Sequence, residues 1–171
     1  MTKRRLIIIA ALAALAALLA IPAVVMGDAT HTTTVTGIIG ATYSLTSPDT
    51  ISLGDFISAT NYNSSNQTIS ANASGSSATS VTISVSGSNG GYLSKDNGGA
   101  IKLDNPLSVK GGDISSYTPI TSAQTLENSG ILSGGTYSIN DFSVQQTITS
   151  NDLNKTAGTY SITLTFTATF N

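Results

Sequence analysis

The last stretch of the chain alternates without a break. From Gly158 to Phe170 every even position is apolar or glycine, including Ile162, Leu164, Phe166 and Ala168, and every odd position is Ser or Thr. A β-strand turns successive side chains to opposite faces, so this period of two predicts a strand with one dry face and one wet face. A helix cannot use that rhythm, and a disordered stalk does not need it. The segment after residue 30 repeats the pattern. Val35, Gly37, Ile39, Ala41, Tyr43 and Leu45 share one face, Thr34, Thr36, Gly40, Thr42 and Ser44 share the other, and Ile38 is the exception.

Shorter alternations lie between these two. Ile51 with Leu53, Ile69 with Ala71 and Ala73, and Val81 with Ile83 and Val85 each read as strands. So do Ile101 with Leu103, Leu107 with Val109, Tyr137 with Ile139, and Phe142 with Val144 and Ile148. The breaks carry turn chemistry. Asn89-Gly90 and Asn97-Gly98 suit type I′ turns, which need positive φ at both central residues. Asn105-Pro106 and Thr118-Pro119 exclude helix at those points. Ser74 to Ser80 reads as a loop, and Lys110 to Ser133 is so weakly patterned that it predicts long loops. The expected fold is all-β: an antiparallel β-sandwich of about nine strands, Ig-like or jelly-roll-like, after an N-terminal signal helix.

That leader is Met1-Thr2-Lys3-Arg4-Arg5, then twenty uncharged residues from Leu6 to Val25, then the small residues of Gly27-Asp28-Ala29. The layout is that of a secretory signal peptide, with cleavage expected after Ala29. A retained membrane anchor is the alternative, since twenty helical residues span about 30 Å. Either way Lys3, Arg4 and Arg5 stay cytoplasmic, which places residues 30–171, a single domain, outside the cell and at its surface.

Composition sharpens the reading. Charged residues make up 9% of the chain, against about 25% in an ordinary soluble domain. Residues 30–171 hold four Lys, no Arg and eight acidic residues, a net charge of −4, so no nucleic-acid partner is expected. Ser and Thr supply 49 of these 142 residues, which the strands can absorb on their wet faces. With no Cys, disulfides and thiol chemistry are excluded.

The same stretch offers little to catalysis. The one His, His31, lies two residues beyond the expected cleavage point, a poor place for a general base that must be held firmly. No nucleophile elbow, phosphate loop or dinucleotide fingerprint occurs. Asp96-Asn97, Asp104-Asn105, Asn140-Asp141 and Asn151-Asp152 could offer oxygens to calcium, but none has the EF-hand spacing, and Asp and Asn favour turns in any case. The expectation is therefore a protein that is not an enzyme and has no cofactor and no metal. Asn63, Asn66, Asn72 and Asn154 stand in N-x-[ST] sequons, which permit glycosylation outside the cell.

A resemblance adds to this. Tyr43-Ser-Leu-Thr-Ser-Pro48-Asp-Thr-Ile51-Ser-Leu53-Gly54, Val81-Thr-Ile83-Ser-Val85 and Ala157-Gly-Thr-Tyr160-Ser-Ile-Thr-Leu164-Thr-Phe166-Thr-Ala168 follow the order of opening, middle and closing strands in WxL-type domains of bacterial cell-surface proteins. The two Trp-x-Leu signatures of that family are absent; Phe166-Thr-Ala168 stands at the comparable place in the closing strand. The layout also resembles secreted β-sandwich subunits of surface filaments. The resemblance implies a surface protein whose partner is itself or a cell-surface polymer. Two function classes follow. In the first, a structural subunit assembles through its N-terminal strand, with Val35, Ile39, Tyr43 and Leu45 filling pockets of a neighbour. In the second, a binding module for wall polymer or glycan uses the loop tyrosines Tyr62, Tyr92 and Tyr117.

Overall fold

The computed structural model describes residues 40–96 and 98–171. The expected leader (residues 1–29), Val35, Ile39 and the turn at Asn97 lie outside the described residues. Among the described residues no helix is long and apolar enough to cross a membrane.

The fold is an all-β antiparallel sandwich. Among the described residues its eleven strands are β1 (Thr42–Thr46), β2 (Asn61–Asn63), β3 (Gln67–Ser74), β4 (Ser80–Gly87), β5 (Ser94–Lys95), β6 (Ser108–Gly111), β7 (Ile114–Pro119), β8 (Gln124–Ile131), β9 (Thr136–Thr147), β10 (Tyr160–Ser161) and β11 (Leu164–Phe170). The first sheet runs β1-β3-β9-β6-β7, with β2 also on β9; the second runs β11-β4-β8, and β10 pairs with β5. The core lies between them. Ile69 and Ala71 of β3, Val81, Ile83 and Val85 of β4, Leu126 of β8 and Phe142 of β9 are all at most 1% exposed. Phe142 meets Phe166 of β11 edge to face, ring centroids 5.3 Å apart, and so ties one sheet to the other.

The alternation explains the Ser and Thr content. Along β4 the apolar residues are buried and the hydroxyl residues between them are only partly covered. On the outer face of the first sheet, short polar side chains pair across strands. Ser70 and Ser138 hydroxyls lie 2.7 Å apart, Asn72 Nδ2 donates to Thr136 Oγ1 at 2.9 Å, and Gln145 Nε2 donates to Asn63 Oδ1 at 2.8 Å. Such pairs stabilise a sheet by roughly 0.2–1 kcal/mol each. They cover a wet face without charge.

Four expectations change. Ile101 and Leu103 flank a single bridge between Lys102 and Ser94 and form no strand. The segments around Ile139 and Phe142 are one twelve-residue strand, β9. Its inward residues shift from odd (Ile139) to even (Phe142, Val144) because a bulge opposite Gln67 and Ile69 inserts an extra residue. Residues 110–133 are strands β7 and β8 rather than long loops. Both are sheet edges with few apolar residues, so alternation is faint there. Ile51 and Leu53 lie in no strand: both are half-buried against the core, while residues 47–60 run without ladder pairing. The turn at Asn89-Gly90 has the expected geometry, with φ of 56° and 69°.

Candidate functional site

Each sheet ends in two edge strands. β7 ends in Pro119, β8 carries Glu127, and the ladders β6–β7 and β4–β8 are both interrupted by register shifts. These are the devices that discourage another chain from adding to an edge. β1 and β11 have none of them. Their ladders run five and seven pairs without a shift, and neither strand holds a charged residue.

Hydrogen bonding shows which way these two edges face. Asn171 and Ser80 exchange both backbone bonds, at 2.9 and 3.1 Å. Antiparallel ladders alternate, so Thr169, Thr167 and Thr165 also bond to β4, and Leu164, Phe166, Ala168 and Phe170 turn their N–H and C=O groups to the outer edge. On the other sheet, Ala73 N–H donates to Gly135 at 2.7 Å, so the odd residues of β3 serve β9. Its even residues serve β1, which leaves Tyr43 and Leu45 with outward backbone groups. Among the described residues no strand pairs with either outer edge.

Between the two edges is a groove of about 330 Å³ lined by Tyr43, Leu45, Phe166, Ala168 and Phe170 among others. Tyr43 and Phe170 rings touch across it, centroids 4.9 Å apart. Past Phe166 the opening widens into a cleft of about 850 Å³, bounded on one side by residues 48–56 and floored by Leu107, Val144 and Ile148. The apolar residues along this seam are less covered than their counterparts elsewhere. All four inward residues of β11 are only half-buried, and Tyr43 is 54% exposed, whereas the inward residues of β3 and β4 are buried. Among the described residues the sandwich is thus open along one side, with an apolar floor and unpaired backbone on both rims.

At the far end of the wide cleft stands a charged knot. Lys155 Nζ lies 2.6 Å from Asp104 Oδ1 and 2.8 Å from Asp152 Oδ1, and also donates to the Lys102 carbonyl. Asp152, whose side chain is 1% exposed, also accepts from Asp104 N–H at 2.8 Å and Thr149 N–H at 3.0 Å. Thr149 Oγ1 in turn accepts from Asp152 N–H at 3.1 Å, the reciprocal pairing of a capping box. The Asp104 carboxyl is held down at about 2, mainly by the hydrogen bond from Lys155 and then by Thr149 and Asn151. Burial pushes Asp152 up, but Lys155 and the Thr149 and Asp104 N–H groups outweigh it and keep the carboxyl below its ordinary value. Asp104 and Asp152, read from sequence as possible calcium oxygens, therefore converge on an ammonium group, while Asn151 turns its amide Nδ2, not its oxygen, to Asp104. Among the described residues no cluster of three or more His, Cys, Asp or Glu side chains could hold a metal ion.

The other predicted residues are scattered. Tyr43 and Leu45 sit on the seam, in a strand paired with β3 of their own chain, so only the part of the N-terminal segment before Thr42 is left for another molecule. Tyr62 lies in β2 rather than in a loop, stacks edge-on with Phe56, and accepts from Ile57 and Ser58 N–H at 2.9 and 3.0 Å. Tyr117 lies in β7, its hydroxyl 3.2 Å from that of Ser143. Tyr92 follows the turn after β4, with Lys102 Nζ 5.8 Å from its ring centre. No ring contact joins any two of these three among the described residues. Asn63, Asn66, Asn72 and Asn154 are all exposed. No protein-family model matches this chain, and no curated protein matches it either.

Proposed function

We propose that this chain is an extracellular, non-catalytic structural protein of the cell surface, a subunit that polymerises with copies of itself into a filament. The observation that carries this reading is the contrast between edges. Two strands have the Pro, charge and bulges that keep an edge single, and the other two flank an uncharged apolar seam with free backbone groups. A surface protein with such a seam either aggregates or uses it. A leader-like N-terminus and a hydroxyl-rich, charge-poor surface fit the same role.

Sedimentation velocity on the purified protein over a hundredfold range of concentration tests the reading. A structural subunit gives species that grow with concentration. A single monomeric boundary at every concentration contradicts it.

A further inference from the structure

The seam has two rims, and the longer is the outer edge of β11. We propose that this edge is the acceptor for residues 30–41 of a second copy, which add to it as a strand; the inference rests on the self-assembly reading above and names its contact.

Four observations support that occupant. The first is the rim itself. Leu164, Phe166, Ala168 and Phe170 turn unpaired N–H and C=O groups outward over seven residues of unshifted strand. The second is pattern. Residues 30–41 contain no Asp, Glu, Lys or Arg, and Val35, Gly37 and Ile39 alternate with Thr34 and Thr36 much as apolar and Thr residues alternate in β11. An added strand with this pattern puts its apolar side chains over the half-covered floor and its threonines beside Thr165, Thr167 and Thr169. The third is length. Twelve extended residues reach about 40 Å, and the seven-residue rim needs about 23 Å.

The fourth is the point of attachment. Tyr43 touches Phe170, while residues 48–56, which follow β1, line the wide cleft with Leu164 and Phe166, so β1 runs antiparallel to β11 and begins beside the C-terminal end of β11. To reach the outer edge of β11 in its own molecule, the chain before Thr42 would have to reverse direction and run parallel to β11. A neighbour stacked along the line of β1 meets the same segment antiparallel to its own β11, with no reversal. Gly40, at the root of the segment, has nothing within 4 Å of where a Cβ would stand. Donation of this kind is head-to-tail, and with copies stacked along the line of β1 it does not close, so it builds a filament.

The chain has no cysteine, so an engineered disulfide reports one contact only. Full-length chains carrying Thr34→Cys or Thr36→Cys are mixed with chains carrying Thr165→Cys or Thr167→Cys and oxidised; each pair is also placed within one chain. The proposal expects a covalent dimer from at least one mixed pair and a ladder of multimers from the matching double variant. A link confined within single chains overturns it, because the segment then serves its own sheet. No link in any pair, with the parent protein still assembling, also overturns it. Ala168→Pro gives a second readout. It removes an outward N–H and spares every bond to β4, so strand content is expected to stay and assembly to be lost. If that variant does not fold, Thr167→Lys, which sets a charge beside the same rim, replaces it with the same expectation. Assembly unchanged in the folded variant removes β11 as acceptor and leaves self-assembly standing. A parent chain that never assembles removes both.

Discussion

Replacing Asp152 by Asn changes one atom and one charge at the centre of the Asp104–Asp152–Lys155 knot. The carboxylate accepts from three donors: Lys155 Nζ and the N–H groups of Asp104 and Thr149. The Asn amide has one acceptor end. Wherever its NH₂ points, it faces at least one backbone N–H, and Lys155 loses a buried counter-charge. Removing one partner of a buried pair costs about 3–5 kcal/mol. Asn keeps part of the hydrogen bonding, so about 3 kcal/mol is expected, a fall in Tm of about 10 °C for a domain of this size. Urea and thermal unfolding of the parent, Asp152→Asn, Lys155→Met and the double variant measure it. The double variant should lose much less than the sum, since each single change leaves the other group without its partner. An Asp152→Asn protein within about 0.5 kcal/mol of the parent would refute the reasoning, because the loops at 104 and 149–155 would then be held by something else.

The knot also sets a pH window. Asp104 and Asp152 have depressed carboxyl pKa values, so they stabilise the fold above about pH 4; the contribution of Asp104 fades as pH falls towards about 2, and that of Asp152 fades as pH falls below the ordinary carboxylate range. Lys155 is raised, with burial pulling down and Asp104 and Asp152 outweighing it. Its contribution is present below about pH 10 and is lost as pH rises beyond that. Denaturant midpoints measured from pH 2 to pH 11 should show both flanks in the parent, and both should be blunted in Asp152→Asn.

Three further outcomes are expected. Phe142→Ala empties a fully buried site against Phe166 and should cost about 3–5 kcal/mol in chemical unfolding; a loss under 1 kcal/mol contradicts the placement of the core. Gly91→Ala should lower Tm clearly, because φ is +87° and a Cβ would stand 2.6 Å from the Ile120 carbonyl oxygen; an unchanged Tm shows that the turn takes another path. Tyr92→Ala and Tyr117→Ala should leave co-sedimentation with cell-wall material unchanged, and a strong loss in either would favour the glycan-binding class over assembly.

The fold was legible wherever one face is dry and the other wet. β11, β3 and β4 follow the Ser/Thr-against-apolar rhythm residue by residue, because each covers the core with one face. The rhythm misled at Ile51 and Leu53. Side chains there alternate against the core with no strand alongside, and a sequence shows burial more readily than pairing. It failed at β7 and β8, where edge strands such as Ile114–Pro119 bury little and need no alternation. The shift of parity between Ile139 and Phe142 was a readable sign of the bulge in β9. Of the knot, the Thr149-Ser-Asn-Asp152 spacing could have been read as a capping box, but nothing near it names Asp104 or Lys155 as partners. The bare rims of β1 and β11 were foreshadowed by their lack of charge; that the other two edges are guarded is visible only once strand order is known.

The proposed function requires that an open, uncharged side of this sandwich joins copies end to end. Negative-stain electron microscopy of the purified protein at high concentration tests it directly. Filaments one subunit thick with a regular axial repeat are expected. A field of separate particles the size of a single domain contradicts it.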